Sequence, residues 1–155
     1  DEVGRLLARV VFKRRNGEQD QALQAVVQAC ERLVSLEADN LFQFTPEQHY
    51  AMLTEGETLE IARDKVLLYA ALNAEAAHAY TALGNAAMAR ATTLNALHFA
   101  LRARLEFSAA NLPAFAPNPA LLREQLGTTP LDEATLELLK RAGLSPPRFG
   151  QNEQN

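Results

Sequence analysis

Apolar residues recur at helical spacing from the start of the chain. Val3, Leu6, Leu7, Val10 and Val11 fall on one side, while Arg5, Arg9 and Lys13 stack four residues apart on another. Asn16-Gly17 interrupts the pattern. Residues 18–37 form the cleanest amphipathic stretch. Leu23, Val26, Val27, Cys30, Leu33 and Val34 share one face, and Gln21, Gln24, Gln28, Glu31 and Ser35 share the other. Thr45-Pro46-Glu47-Gln48 has the spacing of a capping box with proline at the first helical position, which predicts a short helix from Pro46 to about Leu53, ended by Gly56.

The spacing then predicts a long helix over 58–83. Its start is mixed, with Glu60, Arg63, Asp64 and Lys65 interleaved with Ile61 and Val66; Glu57, Glu60, Asp64 and their neighbours read as a solvated helix start, since acids there suit the helix dipole. From Val66 onward it is apolar nearly all round, interrupted by Asn73, Glu75, His78 and Thr81, which places it in the middle of the molecule. Residues 85–108 form its antiparallel partner. Ala89, Ala96, Leu97 and Ala100 face inward, with Arg90, Asn95, His98, Arg102 and Arg104 outside. Between Glu57 and Leu112 there is no proline and a single glycine, Gly84, so the stretch reads as a helical hairpin turning at Gly84.

After Ser108 the texture changes. Asn111 to Asn118 is a proline-punctuated extended segment whose Leu112 and Phe115 are expected to pack back across the helices. Asn118-Pro119 and Thr129-Pro130 each read as an N-cap followed by a first-turn proline, starting short helices that end at Gly127 and Gly143. Residues 145–155 read as a frayed tail. The expected organisation is a helical domain over 1–110, a C-terminal segment with two short helices over 111–144 packed on the same domain, and the tail.

Composition narrows the function classes. The 155 residues are 48% hydrophobic and 22% charged, an ordinary globular balance. A net charge of −4 argues against nucleic acid or a membrane surface as partner, since both attract a positive field. Arg5, Arg9, Lys13, Arg14 and Arg15, with Phe12 beside them, form the one basic cluster, and cations near a helix C-terminus are favourable without any ligand. Cys30 is the single cysteine and lies on an apolar stripe, which fits a buried thiol rather than a nucleophile or metal ligand. No apolar run approaches a membrane span and no signal-peptide pattern opens the chain, so a cytoplasmic location is expected. Position 1 is not Met, which leaves room for residues upstream.

The catalytic constellations are missing. His49, His78 and His98 form no His-x-x-x-His pair, and there is neither a Gly-x-Ser-x-Gly turn nor a glycine-rich phosphate loop. The sequence therefore names no catalytic residue, no metal ligand and no cofactor.

An internal repeat is visible. Gly17, Ala22 and Ala29 stand five and seven residues apart, and Gly84, Ala89 and Ala96 repeat that spacing. Glycine accepts a positive φ at the turn, and alanines two turns apart let the second helix sit close to the first. Tyr80, four residues before Gly84, is placed to wedge between the pair.

Ala79-Tyr80-Thr-Ala-Leu-Gly84-Asn85, followed by Ala89 and Ala96-Leu97, resembles the second half of a tetratricopeptide repeat. The larger pattern is similar to a bacterial family of unknown function with a tetratricopeptide-like fold. The matching pieces are Ala22–Leu36, Asn40-Leu-Phe-Gln-Phe-Thr45 through Leu53, Asp64-Lys65 to Leu72, and Glu75 to Leu101, about residues 5–105 in all. The resemblance implies an all-α fold of antiparallel helical hairpins in a right-handed α-α superhelix, with the short C-terminal helices packing back. It carries no assigned catalytic or binding residue. The concave positions near Ala71, Ala74, Glu75, His78 and Ala82 lack the cation clamp by which peptide-binding tetratricopeptide proteins hold a terminal carboxylate, which disfavours that ligand.

The candidate functional surface is the groove between helix pairs, lined by Ala74, Glu75, His78 and Thr81. Two hairpins are fewer than the three repeats a free-standing array needs, so something must cover the end of the stack. The C-terminal helices with Leu121, Leu122, Leu136 and Leu139 are one cover, and a second copy of the chain is another. The leading reading is a non-enzymatic protein- or peptide-interaction module. A small-molecule or nucleotide sensor using the same groove and a structural homodimer stand beside it. An open shallow groove favours the first, a large apolar pocket lined by His78 and Tyr80 the second, and a flat apolar patch on a twofold axis the third.

Overall fold

A computed structural model describes residues 2–34 and 45–144. Residues 35–37 of the second helical stretch, the Asn40-to-Phe44 part of the family resemblance and the 145–155 tail lie outside the described residues. Among the described residues the chain is all-helical, with seven α-helices and no strand: α1 (Glu2–Arg15), α2 (Gln19–Val34), α3 (Pro46–Thr54), α4 (Leu59–Ala82), α5 (Ala86–Glu106), α6 (Pro119–Leu126) and α7 (Glu133–Arg141).

The two hairpins close by the same local chemistry. Gly17 (φ 78°) and Gly84 (φ 77°) both take the left-handed conformation that a Cβ would strain. At the first turn the Glu18 amide donates to the Lys13 carbonyl (2.9 Å) and the Gly17 amide to Arg14 (3.1 Å). At the second, Asn85 donates to Tyr80 (2.9 Å) and Gly84 to Thr81 (3.1 Å). These are paired Schellman bonds that use up the last orphan carbonyls of a helix. The repeated alanines follow suit, since Ala22, Ala29 and Ala96 are fully buried and Ala89 is half-buried.

Helices α4 and α5 make the most extensive contact, and α4 also packs against α1, α2 and α3. That explains why it is apolar on most sides. Val66, Leu72, Leu97, Phe99 and Leu101 are the fully buried large residues of this centre, joined by Val10 from α1, Leu53 from α3 and Leu139 from α7. Tyr69 meets Phe99 edge-on at 4.8 Å and His49 at 5.7 Å, which extends the core out to the short helix. The capping box on α3 is present: Thr45 Oγ1 accepts from the Gln48 amide, and the Gln48 side chain accepts from the Thr45 amide. Across from it Arg102 of α5 lies over the Tyr50 ring at 3.7 Å and bonds Glu47 and Glu106, while Tyr50 donates to Glu106.

Three sequence expectations need correction. Thr129-Pro130 does not start the last helix. Asp132 caps it, its carboxylate taking the Thr135 amide (3.1 Å) and hydroxyl (2.6 Å), while Leu131 packs half-buried against the core in the preceding turn. Leu112 is exposed, so only Phe115 of the proline-rich segment packs back. Arg63 is not part of a solvated helix start. It is 5% exposed and donates to the carbonyls of Ser108 (3.1 Å), Ala110 (2.8 Å) and Asn111 (3.3 Å), with Nε on Asp64 (3.0 Å). One guanidinium thereby ties the segment leaving α5 back to α4.

Helices α6 and α7 pack on α5. Leu122, Leu126, Leu138 and Leu139 are buried there, whereas Leu121 and Leu136 remain exposed. His98 faces this C-terminal pair from α5, and its Nε2 is buried without a hydrogen-bond partner among the described residues. Burial first, then the Arg102 guanidinium, hold its imidazole below the ordinary value of 6.5, against the opposing pull of Asp132, Glu47 and Glu106. A base whose folded pKa is lowered costs nothing above its unfolded pKa and destabilises the fold as pH falls below it. The urea midpoint should therefore drop between about pH 7.5 and about pH 5.5, and His98→Gln should shrink that drop. An undiminished drop in the variant would place its source elsewhere.

Candidate functional site

The sequence-predicted groove residues divide between two places. Glu75 is half-buried where the first helices of the two hairpins meet, and its carboxylate pairs with Arg14 Nε of α1. Ala74 beside it packs against the core. Both are therefore committed to holding α1 against α4. His78 and Thr81 lie one turn further on and line an open cleft of about 450 Å³ with Ala77, Gly84, Ala86, Ala89, Arg90, Thr93, Gln125 and Leu126. Three elements build it: the end of α4, the start of α5, and α6, which the sequence expectation left out.

The cleft is shallow because its residues are small. Gly84, Ala86 and Ala89 keep the hairpin tip low and leave the backbone there accessible. Thr93 is buried and spends its hydroxyl on the Ala89 carbonyl (2.7 Å), and Thr81 spends its own on Ala77 (2.8 Å). His78, Arg90 and Gln125 supply the polar lining and are exposed. Arg90 forms no ion pair among the described residues, so a cation stands in the cleft where the sequence had placed an exterior arginine. Its position four residues before Leu94 could not have revealed this, because the wall it faces comes from α6.

A second recess lies on the opposite side of α4. It is about 280 Å³ and is bounded by α2 and α5, with α4 as floor and Pro46 and His49 of α3 at one end. Tyr80 lines it, but His78 does not. Asn73 is 8% exposed in its floor, donates to the Tyr69 carbonyl (2.9 Å) and accepts from the Asn95 amide of α5 (3.3 Å), while the Tyr69 hydroxyl meets His49 Nδ1 at 3.0 Å. Cys30 contributes its thiol, pushed up to about 12 by burial and then by Glu31, so it stays protonated and unreactive. Burial likewise raises the Tyr69 phenol.

Against protein-family models, curated proteins and solved structures, the chain has no match.

The remaining sequence features resolve without a site. A recess of about 660 Å³ is a wide trough along the outer face of the first hairpin, with Arg9, Lys13, Gln21, Gln24, Gln28 and Glu31. A polar face of that kind lets a helical stack stop. Of the basic cluster, Lys13 pairs with Glu18 (3.2 Å) and Arg14 with Glu75, and Phe12 is exposed. Among the described residues no three His, Cys, Asp or Glu side chains gather to hold a metal ion, and no helix is long and apolar enough to cross a membrane.

Proposed function

We propose that the chain is a non-enzymatic, tetratricopeptide-like scaffold that binds a peptide in the cleft between His78, Arg90 and Gln125. The two long hairpins would stack as a right-handed α-α superhelix with α6 and α7 as a shorter third pair. The shared turn bonds at Gly17 and Gly84, and the contact between the first helices of both hairpins, support that arrangement. The observation that carries the binding reading is the cleft itself: three helices meet around small residues, and Arg90, which has no ion pair among the described residues, stands in it. One arginine suits a single acidic side chain of an otherwise neutral peptide. It is not the multiple-cation clamp that a free chain terminus would need.

The test is a displayed-peptide library panned against the full chain, with the enriched sequences re-measured on variants. Enriched peptides should carry an acidic residue, and Arg90→Glu should weaken them by about tenfold or more. Ala86→Trp, at an exposed position, should block the cleft without disturbing the fold. Absence of enrichment, or affinities indifferent to both substitutions, would remove the reading.

A further inference from the structure

The recess on the other side of α4 has chemistry of its own. No Asp, Glu, Lys or Arg among the described residues lines it. A charged ligand would lose its hydration there and meet no counter-charge, which costs several kcal/mol. The walls are apolar and aromatic, from Val26, Met88, Tyr69 and Tyr80, with Met88 able to adjust to an incoming shape. At about 280 Å³ the space is nearly twice the roughly 150 Å³ of a cavity that accepts benzene, so a two-ring molecule fits.

Besides the Tyr69–His49 pair and Thr92, an asparagine pair interrupts the apolar lining. Asn73 is an expensive residue to bury in a helix of Ala, Leu and Tyr, and its two bonds, to the Tyr69 carbonyl and from Asn95, compensate it. Asn95 is only half-buried. A carboxamide has two N–H donors and a two-lone-pair oxygen, so after one donation to Asn73 this side chain keeps a donor and its carbonyl acceptor without a partner among the described residues. A donor beside an acceptor on one planar group complements another amide.

We propose that this recess is a binding site for an uncharged, ring-containing small molecule that presents an amide edge to Asn95. No cation among the described residues lines the recess to receive a phosphate, which disfavours nucleotides and narrows the sensor class to neutral ligands. The site shares no lining residue with the peptide cleft, so either can fail alone.

The probes are naphthamide and its anionic counterpart naphthoate, titrated into the full chain by calorimetry, with the Asn95 side-chain amide followed by NMR. Naphthamide should bind below about 1 mM and shift the Asn95 amide, and naphthoate should bind at least about tenfold more weakly. Asn95→Leu keeps the volume and should lose about tenfold in naphthamide affinity. Ala91→Trp, exposed at the rim, should abolish binding even if Asn95→Leu proves unstable. No naphthamide binding at about 1 mM, equal binding of naphthoate, or affinity unchanged in a folded Asn95→Leu would overturn the proposal. In that last case the Asn73–Asn95 pair does no more than set the register of α4 against α5.

Discussion

Arg63→Met is expected to lower stability by about 3 kcal/mol, the largest effect of any single charged residue here. Methionine fills the space of the aliphatic stem, so packing is conserved and the loss isolates the guanidinium. Three carbonyls, at Ser108, Ala110 and Asn111, then lose a charged donor, and a bond to a charged group contributes about 1.5–3 kcal/mol net. Those residues are exposed and water can reach them, which is why the total stays well below the sum. In a chain of this size the change corresponds to roughly 6–12 °C in Tm. Arg63→Lys should recover less than half, because one ammonium cannot fork to three acceptors. Asn111 sits at φ 56° with its carbonyl on this fork, so amide exchange across 107–118 should accelerate as well. A loss under about 1 kcal/mol in both variants would mean that the segment is held by Phe115 and the C-terminal helices instead. The effect also reaches the cleft proposed to bind a peptide, since the tied segment leads on to α6, which supplies Gln125 and Leu126.

Arg63 also shows where sequence reading stops. Glu60, Arg63, Asp64 and Lys65 have the composition of a solvated first turn, and no local signal separates the arginine that is buried from the lysine that stays at the surface. Its acceptors lie 45 to 48 residues further on. The hairpins were legible for the opposite reason: Gly17 and Gly84 determine their turns through φ alone, and the apolar periodicity of each helix is local. The candidate groove falls between these cases. Asn73 was visible as a polar break in an apolar helix, but its partner Asn95 belongs to the next helix and looked like exterior. Glu75 was equally visible, and its partner Arg14 is 61 residues away. Periodicity identifies a polar residue that needs a partner. It does not say whether that partner will be protein or ligand. The last helix was misplaced by a subtler competition. Thr129-Pro130 and Asp132 are both good starts, and Asp132 wins because Thr135 returns two hydrogen bonds to its carboxylate, bonds strong enough to hold the Asp132 pKa below its ordinary value although burial alone would raise it.

Leu139→Asp is expected to undock the C-terminal pair and convert the chain from a monomer to a self-associating species. Leu139 is fully buried, in a cluster with Leu122, Leu126 and Leu138 where α6 and α7 meet α5. Truncating such a leucine to alanine costs about 2–5 kcal/mol, and a carboxylate with no partner costs more. The pair is short, eight and nine residues, and has little helical stability of its own once its apolar face is lost. Undocking would uncover the side of α5 on which the pair packs. Light scattering over a concentration series should give the mass of one chain for the native protein and a rising mass for Leu139→Asp. Far-UV ellipticity should fall by no more than the two short helices account for. A native dimer would reverse the argument: the exposed Leu121 and Leu136 on the outside of the pair would then be the contact, and Leu121→Ser with Leu136→Ser should return it to a monomer. The distinction bears on the proposed function because the cleft lined by His78, Arg90 and Gln125 needs α6 in place. A chain that caps itself presents that cleft complete in every molecule, whereas one that relies on a second copy presents it only above the dimer's dissociation constant.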